Sequence, residues 1–387
     1  MNTQPLHITN ANLVLENDVL EQASLLIENG VISAINPEQV PDNAQAINAQ
    51  GKTLMPGMVD LHCDALEKEV EPRPNVHFPL DFACAQADKR NAAAGITTVF
   101  HALSFANEEL GVRNNQFAKE IAESVHQFQP HALVDNRVHC RYEITDPTGL
   151  PILMDLMEKQ SMHLVSLMDH TPGQGQFKDL ASYKAYFGKS YQKSDAELDE
   201  LIAQKQQQAE GAMERVELLV KKAHENGISV ASHDDDCLER VDTMTGLGVD
   251  ISEFPINMET AAYACEKGMK TIMGAPNLLR GKSQSGSMRA IDAINAGVCD
   301  CLCADYAPAA LIVAVFKLPE ISKLTLPQAI QLVTKNPAEA AKLNDRGVIE
   351  VGKRADLISV ANLDGLVQVS EVFVGGVSTF KASYDHA

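Results

Sequence analysis

The sequence has no run of about twenty apolar residues, the length a helix needs to cross a bilayer, so no membrane span is expected. Its opening, Met1-Asn2-Thr3-Gln4-Pro5, lacks a basic stretch followed by an apolar one, so no signal peptide is expected either. Basic residues are scarce. There are 32 Lys and Arg against 52 Asp and Glu, for a formal net charge of −20. An even surface of that charge repels nucleic acid and anionic membrane, and neither is expected as a partner. A small anionic substrate stays open, because a few converging cations can dominate one pocket. A disulfide framework is missing as well. Of the eight cysteines, Cys299, Cys301 and Cys303 alternate in one apolar segment. That pattern suits buried strand thiols and a reducing, cytoplasmic location. No Gly-x-Gly-x-x-Gly follows the first strand of the middle region, and no complete phosphate-loop signature ending in Gly-Lys-Ser/Thr occurs.

What is present points to a folded chain in two parts. Hydrophobic residues make up 45% and charged residues 22% of 387. A single core usually stops growing near ~250–300 residues, so a large domain with a smaller satellite is expected. Both chain ends read as short strands. Leu25–Ile35 reads as a hairpin with Asn29-Gly30 at its turn, and Ala355–Val360 and Val369–Gly376 read as strands near the end. Residues 1–55 and 347–387 are therefore expected to form one small β-sandwich domain.

Residues 56–346 alternate strand-like and helical runs. The expected strands are Gly57–Leu61, Thr97–Ala102, Arg137–Tyr142, Leu164–Met168, Ile228–Ser232, Asp250–Phe254, Thr271–Ala275 and Asp300–Ala304. Eight strands with intervening helices favour a (β/α)8 barrel of the TIM type over a doubly wound sheet. Asp195–Lys222 reads as a long helix, and Gln174–Lys193 as a lid or rim segment.

Metal-capable side chains sit at the C-terminal ends of these strands, where barrel enzymes build their sites. His62 and Asp64 follow the first strand, Arg141 and Glu143 end the third, Asp169 and His170 the fourth, His233 the fifth, and Asp305 the eighth. In an extended segment His62 and Asp64 share a face and Cys63 takes the other, which makes Cys63 a packing residue. The set His62, Asp64, Glu143, His170, His233 and Asp305 suits zinc, or manganese or iron. It is large enough for one or two ions, two if Glu143 bridges, with His139 as a rival for that position. Asp305 is the candidate acid/base.

Several motifs resemble the amidohydrolase superfamily. They are Thr53-Leu54-Met55-Pro56-Gly57-Met58-Val59-Asp60-Leu61-His62, Gly95-Ile96-Thr97-Thr98-Val99, Thr334-Lys335-Asn336-Pro337-Ala338, and Gly347–Asp356 with its Gly-Lys-Arg-Ala-Asp. The resemblance implies the same split β domain around a barrel. His62–Lys68, Pro72-Arg73-Pro74, Val165–Gln174, Ala231–Asp235, Met273–Asn277 and Asp305-Tyr306 are similar to a phosphonate-utilising branch of that superfamily. That branch hydrolyses a ribose 1-methylphosphonate 5-triphosphate to the 5-phosphate and pyrophosphate. The likeness implies His62, Asp64, Glu143, His170 and His233 as ligands, with Asp305 as acid/base. His101, Lys282 and Gln284 depart from the branch's pattern.

Phosphoryl transfer needs cations to offset charge developing on oxygen. Arg73 stands between two prolines, and Arg280, Lys282 and Ser285 lie in a polar loop after the seventh strand. Lys68 and Arg141 add charge. These six are the expected phosphate-binding residues for a small anionic phosphorylated substrate. Two alternatives remain: a metal-dependent amidohydrolase or deaminase for a small cyclic amide or amine, and a non-catalytic binding barrel. Converging Arg73, Arg280 and Lys282 favour the phosphate reading, and a pocket of aromatics and amides the second. A homo-oligomer is compatible with everything above.

Overall fold

The computed structural model describes residues 4–106, 114–169, 198, 203, 210–283 and 286–384. The chain begins with β1 (Leu6–Val14), β2 (Val19–Glu28), β3 (Val31–Ile35), β4 (Gln45–Asn48) and β5 (Thr53–Pro56). Antiparallel β2 and β3 turn at Asn29 and Gly30, both at positive φ (53° and 82°). This is the conformation that a two-residue hairpin matching the strand twist requires. Glycine is needed at the second position for a further reason: a Cβ there would lie 3.1 Å from the Gly375 carbonyl oxygen.

The middle of the chain supplies β6 (Met58–Cys63), β7 (Ile96–Phe105), β8 (Asp135–Glu143), β9 (Leu164–Met168), β10 (Ser229–His233), β11 (Ile251–Glu253), β12 (Lys270–Gly274) and β13 (Cys301–Cys303). Each overlaps its expected segment. They pair in parallel in sequence order from β6 to β13. The ends of the sheet meet at the site. The Asp305 N–H donates to the His62 carbonyl at 2.9 Å, and the Asp64 N–H to the Asp305 carbonyl at 2.8 Å. Val59, Leu61, Phe100, Ile251, Ile272 and Cys303 cluster in the interior, so the barrel is a filled core and not a pore. Cys301 and Cys303 belong to this cluster, while Cys299 precedes the strand and packs in a different one.

Helices cover the outside by the usual periodicity. In the helix Asn115–Phe128 the buried residues Ala118, Ile121, Ala122 and Val125 form one stripe, and the Asn114 side chain caps the Phe117 N–H. The long helix expected at 195–222 is not continuous: Glu210 and Gly211 form a turn, with Gly211 at φ 72°, and a separate helix runs Ala212–Glu225. The expected lid 174–193 lies outside the described residues. Among the described residues no helix is long and apolar enough to cross a membrane.

The chain ends with β14 (Leu357–Leu363), β15 (Leu366–Val374) and β16 (Val377–Lys381). The sandwich expected of the two ends takes the form of one hydrogen-bonded sheet, ordered β16-β15-β14-β5-β1-β2-β3, with β4 paired to β1. It meets the barrel at the floor, where the parallel strands begin. Arg346 donates from Nη1 to Asp135 Oδ2 (2.6 Å) and Thr98 Oγ1 (2.9 Å), and from Nε to Asp345 Oδ1 (2.8 Å). Arg354 pairs with Asp356 at 3.0 Å. Gly57 donates to the Asp356 carbonyl at 2.8 Å. A Cβ on Gly57 would fall 2.2 Å from Thr97 Oγ1, so no other residue fits there without displacing β7.

Candidate active site

Five strands, β6, β8, β10, β11 and β13, bring the central side chains together. The register of β6 against β7 shifts between Asp60 and Cys63. A local irregularity of this kind re-aims a side chain. Val59 and Leu61 fill the interior below the shift, and His62 and Asp64 face inward above it. Cys63 turns outward and its thiol points to Asn91 Oδ1, as expected of a packing residue.

His62 is 1% exposed. Its Nδ1 lies 2.8 Å from Glu253 Oε1 and its Nε2 3.3 Å from Asp64 Oδ1. The His139 ring approaches edge-on, with centroids 5.3 Å apart. His139 Nδ1 faces the Leu61 carbonyl at 3.0 Å, which assigns it the proton and leaves Nε2 as an acceptor. That Nε2 has no hydrogen-bond partner among the described residues, and neither has Glu253 Oε2. His233 Nε2 lies 4.0 Å from Glu253 Oε2.

Among the described residues two triads each offer donor atoms within 4.8 Å of one another: His62, His139 and Glu253, and His62, Asp64 and Asp305. Orphaned imidazole and carboxylate atoms, buried and converging, are what a divalent ion satisfies. The donor set therefore fits a divalent metal.

The backbone is strained where it delivers these groups. Asp234, Phe254 and Asp305 follow β10, β11 and the end of β13, and all have φ near the left-handed region, at 56°, 56° and 53°. Phe254 is costly there, because its Cβ crowds the backbone. Its ring is set edge-on to His62 (5.0 Å) and His233 (5.4 Å), as an apolar wall.

Electrostatics divide the cluster. Burial opposes charge on His62, but the Glu253 and Asp64 carboxylates outweigh it and raise its pKa. Burial pushes His139 down and keeps it neutral. For Glu253, burial is overcome chiefly by the charge on His62, and its carboxyl stays ionised. Burial raises Asp305, against the pull of His62. Asp60, fully buried under His62, is raised by desolvation to about 7, while its Oδ1 accepts from the His62 and Ala304 N–H groups.

β8 presents His139, Arg141 and Glu143 on one face, since strand side chains alternate. Arg141 is 8% exposed. Its Nη1 lies 3.5 Å from Asp64 Oδ1 and its Nη2 3.5 Å from His233 Nε2. Glu143 is buried beyond it, accepts from Thr145 Oγ1 at 2.8 Å, and stands outside both triads. His139, the rival to it, belongs to one of the triads.

The other expected positions vary. His170 and Ser285 lie outside the described residues. Lys68, Arg73 and Lys282 are exposed. Arg280, also exposed, reaches the Tyr306 hydroxyl at 3.4 Å, beside Asp305. His101 turns away from the interior and bonds Asn136 Oδ1 at 2.9 Å, so this departure does not touch the site.

Glu253 was not among the expected residues. Its signal was a carboxylate inside a strand, Asp250–Phe254, that a parallel barrel buries on both faces. An ionised side chain there needs a partner or an ion.

Comparison with known proteins gives a consistent picture. The model of the amidohydrolase family matches residues 53–379. Alpha-D-ribose 1-methylphosphonate 5-triphosphate diphosphatase of Escherichia coli K12 is 36% identical over 383 residues, covering 96% of this chain and 100% of its own. N-acetylglucosamine-6-phosphate deacetylase from Pasteurella multocida superposes with a TM-score of 0.65 at 15% identity, over 96% of this chain and 98% of its own. Dihydropyrimidinase from Brevibacillus agri gives 0.64 at 12% identity, over 97% and 95%. At such identities the two solved structures speak for the fold alone.

Proposed function

The chain belongs to the amidohydrolase family and is a metal-dependent hydrolase, and on that premise we propose that it hydrolyses alpha-D-ribose 1-methylphosphonate 5-triphosphate to the 5-phosphate and pyrophosphate. The observation that carries this reading is Arg141. A guanidinium 8% exposed, set among candidate ligands at the barrel mouth, suits an anionic phosphoryl group and has no evident use with a neutral amide. The relative that is 36% identical is named for that substrate, which supports the choice.

His62 with His139 and Glu253, or His62 with Asp64 and Asp305, would hold the divalent cation. Zinc is our first choice, and manganese or iron suits the same donors. When bound, the metal supplies an acidified water and an electrophile for phosphoryl oxygen. Asp305 takes the proton of the attacking water at a carboxylate oxygen and returns it to the departing pyrophosphate oxygen. Water oxygen bonds to the α-phosphorus as the bridging α–β oxygen leaves. Arg141 donates to the phosphoryl oxygens where charge builds. Arg280, beside Tyr306, would hold the outer phosphates with Lys68, Arg73 and Lys282, and with Ser285, which lies outside the described residues. The Phe254 ring keeps water from the His62 side. All eight cysteines are free thiols, which suits a cytoplasmic enzyme.

The test is pyrophosphate release by protein loaded with zinc or manganese and given the ribose phosphonate triphosphate. Nucleoside triphosphates and cyclic amides of the dihydroorotate type run beside it. Release well above the metal-free control is expected. No release overturns the assignment, and cleavage of a cyclic amide in its place moves the enzyme to amide chemistry.

A further inference from the structure

We propose that Arg141 takes the place of a second metal ion, so that the site holds one divalent cation per chain. The inference rests on the metal reading of the site and not on the choice of substrate.

The two ligand triads are not independent, because both draw on His62. They face opposite ring nitrogens: Nδ1 is 2.8 Å from Glu253 and Nε2 is 3.3 Å from Asp64. A neutral imidazole has one lone pair, so His62 serves one triad at a time.

The Arg141 guanidinium lies between Asp64, a member of the second triad, and His233, a candidate ligand of neither. It lies 3.5 Å from a carboxylate oxygen of Asp64 and 3.5 Å from Nε2 of His233, side chains carried by opposite parts of the sheet. A position between an imidazole nitrogen and a carboxylate oxygen is one a cation occupies, and a cation is already there. Its Nε has no hydrogen-bond partner among the described residues. A dication lodged against this buried guanidinium meets like charge in a medium that screens poorly.

A planar fork of donors also does for a phosphoryl group what a second ion does in a two-metal site, which is to bind a second oxygen.

Metal counting tests this. The full chain is equilibrated with zinc alone, desalted, and its metal measured by inductively coupled plasma mass spectrometry. One ion per chain is expected. Two ions with Arg141 intact overturn the proposal, and none removes it together with the metal site. Arg141→Met is expected to take up a second ion, and a count that stays at one shows that the guanidinium does not bar it. Should that variant fail to fold by circular dichroism, Arg141→Lys keeps the charge and is expected to hold one ion, where two would count against the proposal. These counts need no substrate, so failure of the phosphonate reaction leaves them standing.

Discussion

The two ends of the barrel both bury charged side chains, and they treat them differently. At the floor, Arg346 meets Asp135 at 2.6 Å and Asp345 at 2.8 Å, and Arg354 meets Asp356 at 3.0 Å. At the mouth, Arg141 stands 3.5 Å from its nearest carboxylate, and His139 Nε2 and Glu253 Oε2 lack hydrogen-bond partners among the described residues. Paired buried charges hold two parts of a fold in register. Buried polar atoms without partners cost stability, and they persist where a ligand completes them. The floor joins the barrel to the sheet, and the mouth gathers the candidate metal ligands.

The difference can be broken from either end. The largest effect is expected at the mouth. Asp305→Asn should cut turnover by about 10²–10⁴-fold, the usual worth of a general acid–base, while bound metal persists. Pyrophosphate assays and metal content measured on one preparation check this, and surviving turnover would remove Asp305 from the acid/base role. At the floor, Arg346→Met leaves Asp135 and Asp345 without their shared cation. Because Asp135 keeps Arg137 at 3.1 Å and Asp345 is exposed, the cost should be about 1–3 kcal/mol in denaturant unfolding, with kcat little changed. A variant that kept its stability but lost kcat would reverse the division between the ends.

Smaller effects sharpen it. Glu253→Gln keeps a hydrogen-bond partner for His62 but removes a charged donor. Metal affinity, measured by chelator competition, should fall at least ~10-fold while the melting temperature holds. Gly57→Ala forces a methyl against Thr97, and about 1–3 kcal/mol should be lost with metal affinity intact.

The last prediction concerns acid. Burial alone would raise the Asp135 carboxyl, but Arg137 and Arg346 outweigh it and hold it below its ordinary value. Its stabilising contribution is therefore fully present above the unfolded value near ~3.9 and is lost as pH falls through the folded value. Asp135→Asn should be less stable than the parent at neutral pH, and the gap should close below about pH 4 in thermal melts.

Much of this was legible in the chain. All eight barrel strands were readable because a parallel strand buried on both faces is a short apolar run bounded by polar residues. His62, Asp64 and Asp305 were legible because barrel strands end in functional side chains. The Asn29-Gly30 turn declared its hairpin through the positive φ that Asn and Gly tolerate. Glu253 was harder to see, since a lone carboxylate in a strand carries no periodic signal. Glu143 and His139, two turns of the same alternation, could not be ranked by spacing alone, because both face inward.

The amino-acid order by itself determined the element types, their sequence along the barrel and the end of the barrel that carries the chemistry. These follow from local periodicity and from the direction of parallel strands. Tertiary structure alone decided which inward side chains meet. The shift in β6 above Asp60, the strained turn at Phe254 and the closure of β6 on Asp305 set distances between residues up to hundreds of positions apart, and no local pattern encodes a distance of that kind.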